Sequence, residues 1–237
     1  MEALESLPTD LRAAYNKVFD RIADSGFAYR ILGWIFHAQR ILKMSELREA
    51  LAIRIGSPSL DDLQTLQRDA TEIVRICGGL VSHNKVSDLV TFSHETVKPF
   101  LENYKLANLP SQANLCKTCL TYLSLPPLDK PSQGEEYEER KKIFQFSDYA
   151  ARFWATHAIQ SKRNIEIETA ILETFKSDKR REAMEELKFR YWRKRKSLLH
   201  VLIENRLTFI FMSPVLSEES VSRMYFLLFL KANGKLI

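Results

Sequence analysis

The chain has 237 residues, enough for one large domain or two small ones. Hydrophobic residues make up 45% of it and charged residues 27%, which excludes a wholly disordered chain and a fibrous repeat. The net charge is +5, and only 7 glycines and 8 prolines are present, which argues against an all-β protein. No glycine begins a Gly-x-x-x-x-Gly-Lys-Ser/Thr loop or a Gly-x-Gly-x-x-Gly turn, so the common phosphate-binding loops are absent.

The cysteine content and the length of the apolar runs indicate the cellular compartment in which the protein is expected. Three cysteines, Cys77, Cys116 and Cys119, are an odd and sparse set that favours a reducing compartment over a disulfide scaffold. The acidic N-terminal residues lack the apolar segment of a signal peptide. The longest apolar runs fall far short of the ~20 residues that a membrane-spanning helix needs. We therefore expect a cytoplasmic protein without a membrane span.

Helical periodicity dominates the first part of the chain. Four helices are predicted there, at residues 9–26, 27–39, 45–51 and 59–77. Thr9 is a good N-cap for the first, and Gly26 supplies its end. Ser45 is the predicted cap of the third helix. Ser59 and Asp62 have the spacing of a capping box and begin the fourth.

After Gly78 and Gly79 the hydrophobic period changes from 3.6 towards 2. Residues 80–83 and 89–92 are predicted to be two strands of a hairpin, with a turn near Asn84 and Lys85. A helix resumes at 96–106. Three helices followed by a β-hairpin wing and a further helix are the order of a winged helix, which we predict for residues 27–108.

The rest of the chain is predicted to be an α-helical arm, so the fold class is mainly α. Ser111 caps one helix and Ser147 begins another. Further helices are predicted at residues 165–175, 181–195 and 198–205. Residues 125–142, which contain three prolines and a run of charges, are the clearest linker.

Residues that could carry catalysis do not cluster. Cys116 and Cys119 have the spacing of a zinc or redox pair, but a second pair of ligands is missing and both lie in an apolar helical pattern. We therefore interpret them as buried structural cysteines. The sequence contains no His-Glu-x-x-His and no Gly-x-Ser-x-Gly motif. We predict a protein that is not an enzyme and needs no metal or cofactor.

The predicted helix 59–77 occupies the position at which winged helices read DNA. Its acidic residues are Asp61, Asp62, Asp69 and Glu72, against only two arginines, Arg68 and Arg75. A helix in the major groove lies between two rows of phosphates and should be neutral to basic. DNA recognition by this helix is therefore not expected.

A basic segment farther along is the best candidate for binding nucleic acid or another acidic surface. Its basic residues are Lys188, Arg190, Arg193, Lys194, Arg195 and Lys196, interleaved with Phe189, Tyr191 and Trp192. The alternative, which we favour, is a helix that buries its aromatic rings while the basic stems line the rim.

His94 and Glu95 lie where the wing ends and a helix begins. Such a junction can present an imidazole and free backbone N–H groups to an anion. From the residues alone, a locally hydrogen-bonded histidine is the better interpretation.

Several motifs in one order resemble a known family. Residues 7–11 with Tyr15 look like the segment that closes the nucleotide-binding core of fungal NACHT-type (STAND) signal-transduction NTPases. The following motifs resemble the GPI inositol-deacylase-type winged helix and its helical extension: residues 33–51, the Cys-Gly-Gly-Leu-Val segment 77–81, the His-Glu-Thr-Val-Lys segment 94–98, and residues 119–124 and 148–154. Residues 196–201 are weakly similar to the Thr-Pro-Leu-His opening of an ankyrin repeat.

The resemblance implies four parts and a regulatory role. Residues 1–26 would be the last helix of an NTPase-associated region, 27–108 the winged helix, 109–160 a helical extension and 161–237 a tail with a degenerate ankyrin-like repeat. In such switches the winged helix packs on the NTPase core, and a wing-exit histidine, here His94, approaches the bound diphosphate. Because the chain has no Walker motif, its expected partner is a NACHT core in cis or in trans. The alternative function is nucleic-acid binding through residues 188–196.

Overall fold

A computed structural model describes residues 9–65, 67–132, 134–161, 164–188, 198–207 and 210. Its helices are α1 (Thr9–Asp20), α2 (Ser25–His37), α3 (Met44–Ala52), α4 (Leu60–Thr65), α5 (Ala70–Ile76), α6 (Val97–Tyr104), α7 (Gln112–Leu123), α8 (Glu135–Ile143), α9 (Ser147–Gln160), α10 (Ile165–Phe175), α11 (Asp178–Lys188) and α12 (Leu198–Glu204). Its strands are β1 (Leu42–Lys43), β2 (Val81–Asn84) and β3 (Leu89–Phe92). The predicted class, a mainly α protein with a winged helix and a helical arm, is confirmed.

The wing is the predicted hairpin with one further strand. Gly78 and Gly79, with φ angles of +60° and +88°, end α5 and lead into β2. β2 pairs with β3 in antiparallel register, and β1 pairs with the other edge of β3, which gives the order β1-β3-β2. The sequence did not predict β1, because a strand of two residues has no period to recognise.

Asp88 fastens the wing to the start of α3. It lies in the hairpin turn with a φ of 59°, and its carbonyl oxygen accepts a hydrogen bond from the Met44 N–H at 2.7 Å. The Ser45 hydroxyl donates to the Asp88 carboxylate at 2.8 Å. The prediction that Ser45 is the N-cap of α3 is wrong. The N-cap is Lys43, whose N–H donates to the Glu46 side chain at 2.8 Å.

The boundary between α1 and α2 also differs from the prediction. α1 ends at Asp20, well before Gly26. The Asp24 side chain accepts a hydrogen bond from the Phe27 N–H at 3.0 Å and so begins α2. Gly26 lies inside the first turn of α2, and its predicted role as a helix end is wrong because an N-cap aspartate starts a new helix just before it.

The predicted helix 59–77 is two helices, α4 and α5. Ser59 acts as predicted, since its Oγ accepts a hydrogen bond from the Asp62 N–H at 3.2 Å. Asp69 then accepts one from the Thr71 N–H at 2.7 Å and begins α5. One continuous helix is the wrong prediction here because an aspartate side chain competes with helical continuation by bonding to a nearby backbone N–H.

Residues 125–142 are more ordered than a linker. They contain a 3-10 turn at Pro126–Leu128 and most of α8. Acidic residues in the first turn of α8 and basic residues in its last turn complement the helix dipole. Tyr137 and Arg140 are buried, and the Arg140 guanidinium donates to the Lys130 carbonyl at 2.8 Å. The predicted linker thus contains regular structure, and its role as a boundary between parts stays a prediction.

Buried apolar side chains of the winged helix and the arm form one continuous cluster. Its largest fully buried members are Trp154, Tyr122, Tyr149, Phe100, Phe146 and Phe175. α9 packs along α7, and α10 and α11 lie against this pair.

The bounds of α10 match the prediction, whereas α11 begins before the predicted start at Arg181. The predicted division of the chain into four parts, with boundaries after residues 26, 108 and 160, stays a prediction. Among the described helices, none is long and apolar enough to cross a bilayer.

Candidate functional site

His94 lies at the surface, in the turn before α6. Its Nδ1 accepts a hydrogen bond from the Thr96 N–H at 3.2 Å and lies 2.8 Å from the Thr96 Oγ1. The predicted local hydrogen bonding is therefore confirmed. The Tyr15 hydroxyl lies 2.6 Å from the same Thr96 Oγ1, so α1 is linked to the wing exit. Because a backbone N–H can only donate, Nδ1 is the acceptor and Nε2 carries the proton that could be donated to an anion.

The candidate basic surface lies almost entirely outside the described residues. Of its six basic side chains only Lys188 is described, and its ammonium group lies 3.6 Å from the Glu185 carboxylate. Arg190, Arg193, Lys194, Arg195 and Lys196 lie beyond the described part of α11. Residues 197–237, in which the ankyrin-like repeat is predicted, also lie mostly outside the described residues. The exceptions are α12 and residues 205–207 and 210. Both stay predictions.

The three cysteines are buried and free, as predicted. Burial raises the pKa of Cys77 and of Cys116 to about 12, and it also raises the pKa of Cys119. A thiol with so high a pKa is neither a good nucleophile nor a ready metal ligand at neutral pH. Within the described residues, no cluster of His, Cys, Asp and Glu could hold a metal ion.

The carboxylates of α4 and α5 remain near the surface and are used locally. Asp62 pairs with Arg54 at 3.4 Å, and Glu72 pairs with Arg68 at 2.9 Å. The Thr71 N–H, hydrogen-bonded to the Asp69 carboxylate, lowers the pKa of Asp69. Arginines thus neutralise two of the carboxylates, and the expected absence of DNA recognition by this segment stays a prediction.

The most elaborate polar arrangement joins the winged helix to the arm, and it begins at Glu49 on α3. This buried carboxylate accepts hydrogen bonds from the Tyr122 hydroxyl at 2.5 Å, the Phe146 N–H at 2.9 Å and the Gln145 N–H at 3.2 Å. Burial raises the pKa of Glu49, and these donors partly oppose the shift. Because the two N–H groups directly precede α9, the carboxylate also lies at the positive end of the α9 dipole.

A second contact runs from α2 to α9 and α7 through a chain of side chains that we call the clasp. The Tyr149 hydroxyl accepts a hydrogen bond from the Gln39 N–H at 3.1 Å and lies 2.9 Å from the His157 Nε2. The His157 Nδ1 lies 2.6 Å from the Gln112 Oε1, and the Gln112 Nε2 lies 3.2 Å from the His37 Nδ1. The clasp thus consists of Gln39, Tyr149, His157, Gln112 and His37.

Aromatic rings surround the clasp. The Trp34 ring of α2 lies edge-on to Phe146, Tyr149 and His157, with centroid separations of 5.3, 6.0 and 6.2 Å. Such edge-to-face pairs place the positive ring edge against a neighbouring π face. Tyr149 and His157 are fully buried, so the hydrogen bond between them forms in a low-dielectric environment that strengthens it, whereas the other hydrogen bonds of the clasp are partly buried.

Arg40 connects the end of α2 to α3 and α9. Its guanidinium donates two hydrogen bonds to the Glu46 carboxylate, at 2.6 and 2.7 Å, and lies 3.7 Å from the Asp148 carboxylate. The hydrogen bonds with Glu46 raise the pKa of Arg40. The guanidinium also lies 5.2 Å from the centre of the Tyr149 ring, a cation–π contact beside the clasp.

Sequence reasoning predicted the helix that carries Tyr149 and His157 but missed what they bind, and it missed Glu49 and Gln112 altogether. One signal was available for Glu49. It follows Leu47 by two positions and precedes Ala50, so it lies beside the inward face of a short helix that is covered by the arm. For Gln112 the sequence offers no comparable signal.

Comparison with known proteins agrees with this architecture. Residues 15–110 match the family model described as GPI inositol-deacylase, winged helix domain. The chain is 24% identical over 194 residues to "Azaphilone pigments biosynthesis cluster protein L" of Monascus ruber; the alignment covers 74% of this chain and about 40% of that relative's length. No solved structure matches the chain. Residues 15–110 are therefore a winged helix domain of the GPI inositol-deacylase type, followed by a helical region.

Proposed function

We propose that the chain is a non-enzymatic regulatory and interaction module of a NACHT-like signal-transduction receptor. In this proposal the winged helix packs on a nucleotide-binding core, supplied by a longer protein or by a partner chain, in the cytoplasm. The observation that carries it is the joint between the winged helix and the arm. A module that transmits a movement needs its two parts to be rigidly connected.

The joint meets that requirement by two kinds of contact. The apolar cluster continues from the winged helix into α7 and α9 without a break. Glu49 and the Tyr149–His157 pair of the clasp add buried hydrogen bonds that are directional, and a buried network in which the members are satisfied specifies one arrangement. A displacement of the winged helix would therefore carry the arm with it.

His94 supports the nucleotide-linked part of the proposal. By the family resemblance it is the residue that approaches a bound diphosphate on the core. Its exposure and the free Nε2–H suit a hydrogen bond to a phosphate oxygen. The link from Thr96 to Tyr15 would couple that contact to α1. A fungal regulatory setting is also part of the proposal, since the Monascus ruber relative is named for a pigment biosynthesis cluster.

Site-specific photo-crosslinking tests the proposal. A photoreactive phenylalanine replaces Lys98, an exposed residue one turn after His94, and in a matched control it replaces Lys179, an exposed lysine on α11. In cells of the source organism we expect position 98, and not position 179, to crosslink to a polypeptide that contains a NACHT core with a Walker motif. Equal crosslinking at both positions, or crosslinking to nucleic acid, would contradict the proposal.

Binding measured over a series of salt concentrations distinguishes the alternative function, nucleic-acid binding, from the proposed function. The affinity of the whole chain for duplex DNA and for single-stranded RNA is measured between low and physiological salt. The proposed function predicts weak binding with a shallow slope. Tight binding with a steep loss of affinity on adding salt would favour the alternative, a nucleic-acid-binding protein that uses residues 188–196.

A further inference from the structure

The clasp is a chain of hydrogen bonds with one direction, and the groups towards its two ends set that direction. At one end the Gln39 N–H can only donate, so the Tyr149 oxygen accepts. Towards the other end the Gln112 Nε2 can only donate and the Gln112 Oε1 can only accept, so the His37 Nδ1 accepts and the His157 Nδ1 donates.

These ends fix every proton between them. The Tyr149 O–H donates to the His157 Nε2, so the neutral His157 carries its proton on Nδ1 and donates it to the Gln112 Oε1. The Gln112 Nε2 then donates to the His37 Nδ1, which leaves the His37 proton on Nε2. All four hydrogen bonds of the clasp are satisfied only when both imidazoles are neutral and each holds the stated tautomer.

An additional proton has no acceptor within the clasp. On the His157 Nε2 it would face the Tyr149 oxygen, which already accepts from Gln39, and the Tyr149 proton would lose its own acceptor. On the His37 Nδ1 it would face the amide donor of Gln112. Two donors aimed at each other in a buried site cost at least the hydrogen bond that they replace.

We propose that the clasp is a proton-operated latch between the winged helix and the arm. It is closed while His37 and His157 are neutral, and a proton on either imidazole opens the contact of α2 with α7 and α9. His37 is half-buried and is the point at which the proton enters, whereas His157 is fully buried behind it. This inference rests on the geometry of the joint and not on the proposed NACHT partner.

The groups that face the latch favour its neutral form. Apart from the members of the clasp, Lys98 on α6 lies near His37, and Cys119 on α7 and Arg40 lie near Tyr149. Glu46, which also acts on Tyr149, and Asp148 are held by Arg40.

In the described part of the chain, no carboxylate is hydrogen-bonded to either imidazole. Burial, with a smaller contribution from His37, lowers the pKa of His157 to about 4, and burial together with Lys98 lowers the pKa of His37.

The expected effect of acid follows from linkage. In an opened latch His157 is hydrated and its pKa returns towards 6.5, whereas in the closed latch it is about 4. Lowering the pH from 7.5 to 5.0 should therefore raise the equilibrium constant for opening about thirtyfold. This increase in opening should be confined to the segments that the clasp joins.

Amide hydrogen exchange of the whole chain measures this constant locally. Protection factors are determined at pH 7.5 and pH 5.0 for wild type, for H157Q and for the control H200Q, which replaces a histidine of α12 outside the clasp. We expect the protection of residues 37–39, 112–123 and 147–160 to fall about thirtyfold on acidification in wild type and in H200Q, and much less in H157Q. Protection of those β2 and β3 amides that exchange by local fluctuation should change little.

Two results would overturn the latch. One is an unchanged protection of these segments in wild type, or a fall that is equal across the whole chain. The other comes from the imidazole nitrogen resonances of the wild-type protein, which decide the matter even if H157Q does not fold. At pH 7.5 they should show His157 protonated on Nδ1 and His37 on Nε2; the opposite tautomer at His157 would refute the hydrogen-bond direction on which the latch depends.

Discussion

Replacing Glu49 with alanine should destabilise the protein by loosening the start of α9 from α3. The carboxylate accepts three hydrogen bonds, and none of the donors belongs to a cation. Its removal leaves the Tyr122 hydroxyl and the Phe146 N–H without an acceptor in a buried site. The Gln145 N–H is half-buried, so water can take the place of the carboxylate there.

The size of the effect follows from this inventory. Each buried donor left without a partner costs about 1–3 kcal/mol. Against this, the variant no longer has to desolvate a carboxylate, a cost that shows in the raised pKa of Glu49. We therefore expect the free energy of unfolding to fall by about 3 kcal/mol, within the range for breaking a buried polar partnership. Y122F, which removes one donor and keeps the ring, should cost about 2 kcal/mol.

Urea unfolding followed by circular dichroism measures these differences. E173A is the matched control, because Glu173 is an exposed glutamate inside α10 and the gain in helix propensity is the same. Its free energy of unfolding should change by no more than about 0.5 kcal/mol. E49A and Y122F together should cost about 1–2 kcal/mol less than the sum of the two. An E49A effect as small as that of E173A, or strict additivity in the double variant, would refute the role given to Glu49.

Three further outcomes are expected. Cys116, whose pKa burial raises to about 12, should react with iodoacetamide at pH 7.4 only after unfolding, so rapid labelling of the native protein, seen by mass spectrometry, would contradict the packing of α7. G78A should lower the free energy of unfolding by about 1–2 kcal/mol more than G79A does. Both glycines have positive φ, but only a Cβ at position 78 meets Val18, at 2.9 Å. The unfolding free energy should also fall by about 3 kcal/mol between pH 6.5 and pH 4, since the unfolded chain protonates His157 near its ordinary pKa of 6.5 and the native chain only near 4. A flat stability profile over that range would exclude a buried neutral His157.

The sequence was sufficient for those parts of the fold that local chemistry decides. The glycine pair at 78 and 79 ends α5, and the period-2 pattern after it is the hairpin. Ser111 caps α7 as predicted, since its Oγ accepts a hydrogen bond from the Asn114 N–H at 3.3 Å. In each case the interacting residues are only a few positions apart, so the pattern and its structural consequence fall in the same short window.

The candidate site could not be predicted for the opposite reason. Glu49 and Phe146 are 97 positions apart, and Gln112 and His37 are 75 apart. Nothing in the neighbourhood of Gln112 distinguishes it from any other polar residue in the first turn of a helix. The errors at Gly26 and in the helix 59–77 have a different origin, because there two local signals compete and an aspartate N-cap prevails over hydrophobic periodicity.

The positions of the two polar contacts along α9 explain why the joint fixes a direction as well as a contact. Glu49 accepts a hydrogen bond from the backbone just before the first residue of α9, and Gln39 binds Tyr149 in the first turn of that helix. His157, eight residues after Tyr149, is joined to the winged helix through Gln112 of α7, which contacts His37. Eight residues of α-helix span about 12 Å, so α9 is attached to the winged helix directly at its start and, through α7, again more than two turns later. One attachment alone would allow the helix to pivot about it; two attachments separated along the axis do not. Opening the clasp while Glu49 stays bound would therefore let the arm change its angle without being released, so the rigid connection that transmission requires exists only while the clasp is closed.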